Sequence, residues 1–181
     1  MLELARPIGD LQVLVPALAS AGLVKSTQGH LQEALALIAE LDDLTSEHHR
    51  YRARELPTAI RILTSADQLD EADELLAGMV VSAVRDQHSL LTAHAIVAEA
   101  RDEIGQARDF YQQAAQGWAD YGFVFEEGQA HLGLARCLFA LGEKGAATEL
   151  LQKARAIFSR LGAVPLINET DTYLDQAQAA S

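Results

Sequence analysis

The sequence predicts an all-α protein made of stacked antiparallel helix pairs, and three observations lead to that class. Hydrophobic residues make up 49% of the chain but aromatics only 6%, with Ala and Leu supplying most of the apolar side. Such a composition suits closely crossing helices, where small residues let backbones approach and Leu fills the gaps. Strand formers are sparse outside short runs such as Met79-Val80-Val81. Finally, segments opening at Gln32-Glu33-Ala34, Asp70-Glu71-Ala72, Gly105-Gln106-Ala107 and Gly145-Ala146-Ala147 share one pattern of small and large apolar residues. Their anchoring alanines, Ala34, Ala72, Ala107 and Ala147, stand 38, 35 and 40 residues apart. A helix–turn–helix unit of about 34 residues with slightly lengthened helices or turns gives such spacings.

Taken in order, the first pair is expected over Asp10 to Ala21 and His30 to Leu41, with Gly22 to His30 as an inserted loop. The second runs over Ser46 to Thr64 and Leu69 to Ala83, the third over Gln87 to Glu103 and Gln106 to Asp120. The fourth covers Val124 to Leu141 and Lys144 to Arg160, and a last helix over Pro165 to Ala179 caps the stack with a polar outer face. As repeats these are 10–42, 46–83, 87–120 and 124–160, plus a capping helix 165–179, in one domain spanning 1–181. Asp86 suits an N-cap and Pro165 a first helical turn. Pro16 and Pro57 fall inside expected helices, where bends rather than breaks are expected. Met1 to Arg6 reads as the tail of an earlier helix, consistent with a fragment of a longer protein.

The fourth copy is clearest. Leu134, Ala135 and Leu138 line one stripe of its first helix, Gly142 makes the turn, and Ala147, Leu151 and Ala154 line the second helix. This pattern resembles the tetratricopeptide repeat. The third copy repeats it with Ala95, Ala98, Ala107, Tyr111 and Ala114, the second more weakly with Ile60, Leu63, Ala72, Leu76 and Met79, and the first most weakly. The consensus tryptophan is replaced by His131 and Leu91. The resemblance covers about Asp10 to Ser181 and implies a right-handed superhelical α-solenoid that binds protein segments. A narrower likeness rests on Tyr121-Gly122-Phe123, Glu126-Glu127-Gly128, Leu132-Gly133-Leu134-Ala135-Arg136, Ala154-Arg155-Ala156-Ile157-Phe158 and Leu161-Gly162-Ala163. These runs are similar to the C-terminal repeat arrays of bacterial signalling ATPases fused to nucleotide cyclase or LuxR-type DNA-binding domains. That likeness implies a regulatory or sensor docking module.

The residues offer no reaction centre to expect. The six histidines, His30, His48, His49, His88, His94 and His131, contain no His-Glu-x-x-His pair, so packing or surface roles are expected and no metal. Cys137, the single cysteine, lies mid-helix and reads as a packing residue. Gly128, Gly133 and Gly142 are spread along helical pattern, which suits close packing and a turn rather than a phosphate cradle. Acidic pairs such as Asp42-Asp43 and Glu126-Glu127 read as caps and solvated faces. A net charge of -12 argues against nucleic acid. No secretory leader or membrane span is read, and a cytoplasmic, cofactor-free, non-catalytic protein is expected.

A ligand is expected along the inner face, which the first helix of each pair lines. The register places Arg54, Thr58 and Arg61 there in the second copy, Ser89, Thr92, Ile96 and Glu99 in the third, and Gln129, Leu132, Arg136 and Phe139 in the fourth. His48, His49, Arg50, Arg52, Arg54 and Arg61 form a basic group in an acidic chain, suited to an acidic peptide or carboxylate. The same residues also fit an exposed face paired with Glu47 and Glu55. Trp118, Tyr121, Phe123 and Phe125 gather between the third and fourth copies, where packing is the expected role. Two function classes follow: a docking module for a protein or peptide segment, and a self-association segment that pairs two copies in a homodimer.

Overall fold

A computed structural model describes residues 2–179, with side chains described to residue 177. Met1, at the head of the expected helical tail, and residues 180–181 lie outside the described residues. The chain is all-α, without strands among the described residues. Its helices are α1 (Leu2–Ala5), α2 (Leu11–Thr27), α3 (Leu31–Thr45), α4 (His49–Ser65) and α5 (Leu69–Leu76). They continue with α6 (Val84–Ala100), α7 (Ile104–Tyr121), α8 (Val124–Ala140), α9 (Lys144–Leu161) and α10 (Val164–Ala179). Packing divides the chain into two compact units, residues 1–97 and 98–181.

The turns show why these residues make helix pairs. Gly29, Asp67, Asp102 and Gly142 all take positive φ, at 80°, 59°, 61° and 83°. In each case the next residue, His30, Gln68, Glu103 or Glu143, swings to φ near -90° and opens the following helix. The amides of these four residues donate to the carbonyls of Lys25, Leu63, Ala98 and Leu138, each five residues back, at 2.9–3.0 Å. This left-handed C-terminal closure satisfies carbonyls that a helix end otherwise leaves open, and it turns the chain in about three residues. The left-handed residues stand 38, 35 and 40 apart, the spacing of the anchoring alanines. All four of those alanines are fully buried.

Within unit 1, α2 packs on α3 and α4, α3 on α4, and α4 on α5, while α1 lies against α2. The inserted loop expected at Gly22 to His30 is not there: α2 runs on to Thr27. Gly22 is a crossing point, since a β-carbon on it would sit 3.2 Å from Ile62 Cδ1 and 3.4 Å from Ile38 Cδ1. It stands twelve residues before Ala34, as Ala135 stands before Ala147, and so fills the same small position. α3 likewise extends to Thr45, whereas α5 stops at Leu76 rather than Ala83. Asp86 is not an N-cap but lies within the first turn of α6, where it is buried. Pro16 and Pro57 sit inside α2 and α4, which continue through them.

Within unit 2, α7 packs on α8, α8 on α9, and α9 on α10, which also touches α8. The apolar seam of α8, α9 and α10 is built around Leu132, Ala135, Leu151, Ala154 and Phe158. Trp118 is almost completely buried, with the Phe123 ring 5.4 Å and the Tyr121 ring 6.2 Å away. Glu126, expected on a solvated face, is buried, only 5% exposed. The two αL glycines Gly122 and Gly162 close α7 and α9 and launch the next helix.

Candidate docking site

The register-selected residues separate into buried, committed and open groups. Ser89, Thr92, Ile96 and Leu132 are buried and offer a ligand no surface. Thr92 spends its hydroxyl on the carbonyl of His88 at 2.9 Å, and Leu132 belongs to the α8–α9–α10 seam. Thr58, Gln129 and Phe139 are half-buried, and the Phe139 ring stands edge-on to Tyr173 with centroids 6.5 Å apart.

Glu99 and Arg136 are brought together, but with each other. Arg136 Nε donates to Glu99 Oε1 at 2.6 Å and its Nη2 to Glu99 Oε2 at 2.7 Å, while Nη1 reaches Glu169 Oε1 at 3.0 Å. The Tyr111 hydroxyl donates to Glu99 Oε2 at 2.7 Å. Burial works against the guanidinium charge, but the hydrogen bonds and field of Glu99 outweigh it and raise its pKa well above the ordinary arginine value. The forked pair is thus a strut joining the end of α6 to α7, α8 and α10.

The basic group of α4 is similarly dispersed. Arg52 is buried: it forms an ion pair with the Asp42 carboxylate, donates from Nη2 to the Asp42 carbonyl at 3.2 Å, and from Nε to Thr45 Oγ1 at 3.2 Å. It therefore closes the C-terminal end of α3, where a cation also meets the helix dipole favourably. Arg50 lies over the Tyr51 ring, 4.5 Å from its centroid. Arg54 is exposed, with Nε 3.9 Å from Asp86 Oδ1, and Arg61 is half-buried and engaged.

A recess of unit 2 opens on the other side of α8. Residues 129, 132, 136 and 139 follow one helical stripe, whereas Glu127, His131 and Leu134 lie roughly opposite, at about 100° per residue. With Asp109, Gln112, Gln113 and Gln116 of α7 and Lys153 of α9, that second stripe lines an open cleft of about 800 Å³. Gln113 and Gln116 each use one amide hydrogen locally, on Asp109 O at 3.2 Å and Asp120 Oδ1 at 2.9 Å. The carboxamides retain acceptor and donor capacity that matches peptide groups. His131 Nε2 is 3.8 Å from Glu127 Oε1, and its buried Nδ1 has no hydrogen-bond partner. Burial lowers its pKa, against the pull of Glu127 and with a smaller push from Lys153.

None of the residues expected on the inner face lines this cleft. The available signal was the polar, uncharged row Gln112, Gln113 and Gln116 on an otherwise amphipathic α7. As chemistry the cleft is a surface of carboxamide dipoles with Asp109, Glu127 and Lys153 among its lining residues, and those residues place no nucleophile beside a base. Cys137 is buried away from it, and burial pushes its thiol up to about 12. Among the described residues no group of three or more His, Cys, Asp or Glu is placed to hold a metal ion, and no helix is long and apolar enough to cross a membrane.

A scan of the chain against protein-family models returns no match, and a search of curated proteins finds no relative.

Proposed function

We propose that the chain is a non-catalytic docking scaffold of the tetratricopeptide kind, which holds a segment of another polypeptide in a regulatory assembly of the bacterial signalling type. In this reading about four helix pairs stack as a right-handed superhelix, and α10 covers its end. The observation that carries the reading is the repeated turn: left-handed residues 29, 67, 102 and 142 stand at repeat spacing, and Gly122 and Gly162 use the same hydrogen-bonding scheme to launch the next helix. Such units bury their apolar faces on neighbours and leave broad surfaces, which serve recognition rather than bond chemistry. The α7–α8–α9 cleft is the better-formed seat for a peptide backbone, while Arg54 is the exposed arginine that would meet an acidic side chain.

The experiment is a broad array of short peptides probed with the labelled protein, followed by hydrogen exchange on the binders. Protection of residues 112–119 and 149–156, weakened by Gln116→Arg or Lys153→Glu, is the expected result. Loss of acidic binders alone in Arg54→Glu would assign those to α4. An array without any binder would end the docking reading.

Self-association is the second reading, favoured by exposed apolar residues at two of the turns of unit 2: Tyr121 and Phe123, then Leu161 and Val164. Light scattering across concentration separates the two, since a strictly monomeric chain removes it.

A further inference from the structure

Unit 1 has a recess of its own, chemically unlike the unit 2 cleft. It is lined by Ile38 of α3, Leu63 of α4 and Leu75 of α5, all buried, with half-buried Leu35 and exposed Ala39 beside them. These apolar side chains form the floor of a cavity of about 130 Å³, close to the size of an apolar cavity that takes up a benzene-sized group, about 150 Å³.

Every charged residue lining the recess is acidic: Asp42, Glu71 and Glu74. Glu71 and Glu74 are exposed and have no cationic partner among the described residues. α5 also carries Asp70 and Asp73 and no basic residue. An acidic ligand is repelled here, and a purely apolar one would strip water from carboxylates without pairing them. Charge and shape together select an occupant with one apolar side chain between cations.

We propose that the α3–α4–α5 recess docks a basic segment of a partner polypeptide, which inserts one aliphatic or aromatic side chain while flanking Lys or Arg residues meet Glu71 and Glu74. This rests on the docking reading above but names a different face and the chemistry of its partner.

The probe is a short fluorescein-labelled peptide with one leucine between lysines, followed by anisotropy, with methyl chemical-shift mapping of Leu35 and Leu75. Binding should weaken as salt rises and fall on the order of tenfold or more in Glu71→Lys/Glu74→Lys. Ala39→Phe, at an exposed position that tolerates the change, should fill the recess and weaken binding comparably. Equal binding of a leucine-to-serine peptide, unchanged affinity in both variants, or shifts confined to other helices would each overturn the proposal. Binding of array peptides without this one removes the recess claim alone, whereas no binding by any peptide removes the docking reading as well. Self-association abolished by the double variant, with no peptide bound, would give the recess to a second copy and overturn the proposal.

Discussion

The ring of Tyr111 rests on the backbone of Gly133 so closely that a β-carbon there would lie 2.4 Å from its Cε1 and Cζ. That contact fixes where the phenol hydroxyl points, and it points at Glu99, which in turn accepts from Nε and Nη2 of Arg136. A missing side chain on α8 thus sets the geometry of the strut that ties α6, α7, α8 and α10 together.

Gly133→Ala should destabilise the protein by up to about 2 kcal/mol, because overpacking of about 1–3 kcal/mol is offset by about 1 kcal/mol of gained helix propensity. Gly105→Ala and Gly145→Ala are the controls. Both lie in the first turns of α7 and α9 with nothing within 4 Å of the new carbon. Each should stabilise by about 0.5–1 kcal/mol. Urea midpoints measure all three, and a Gly133→Ala protein as stable as its parent would mean that the ring has another resting place.

Arg136→Ala should cost about 2 kcal/mol, because it leaves Glu99, only 20% exposed at its side chain, without its forked donor. Tyr111→Phe removes one hydrogen bond to the same carboxylate and should cost about 1 kcal/mol. The two share a partner, so the double variant should depart from additivity. A double-mutant cycle by chemical denaturation reads that coupling, and strict additivity would show that the hydroxyl and guanidinium act independently.

The helix pairs were legible in the sequence because their cause is periodic. Ala34, Ala72, Ala107 and Ala147 are each fully buried near the start of a helix, where a small side chain lets a neighbouring helix pack closely. The first pair is less legible because glycine has two physical uses. Gly22 reads as a loop signal, yet it serves the close approach of Ile38 and Ile62, and its spacing to Ala34 carries that information. The Asp67 turn falls in the gap expected between Thr64 and Leu69, whereas at Asp102 aspartate stands in place of a glycine signal and the expected helix runs on to Glu103, past the observed end at Ala100. The site was less legible still. A register says which face a residue occupies but not what other helices bring to it, so the capture of Arg136 by Glu99 and of Arg52 by the end of α3 could not be read from one stripe.

Those four turns make a series with a built-in sign change. Asp67 and Asp102 hold φ values of 59° and 61°, a conformation that costs an L-residue about 1–2 kcal/mol, less for Asp than for most. Asp67→Gly and Asp102→Gly should therefore each stabilise by about 0.5–1 kcal/mol, while Gly29→Ala and Gly142→Ala should each destabilise by about 1 kcal/mol. Thermal or urea unfolding of the four single variants decides it. Stabilisation by either alanine would contradict the left-handed assignment.

Acid should weaken the protein in a window set by two histidines. Burial lowers the pKa of His131, with Glu127 opposing, and of His94, with Asp73 opposing, from the ordinary imidazole value of 6.5. The folded state therefore binds fewer protons than the unfolded chain just below that value, and stability rises with pH there. The contribution is fully present above pH 6.5 and is lost as pH falls through the lowered folded values. Carboxylates held low by ion pairs, such as Asp171 beside Arg155 and Glu33 beside Lys25, lose their share only further down, below the ordinary carboxylate values. The two effects have the same sign but separate in pH. Denaturation midpoints from pH 7 to 5 should fall in the parent and flatten in His94→Gln/His131→Gln, with the low-pH loss retained. A parent curve that is level across that interval would show that neither imidazole is held neutral by its burial.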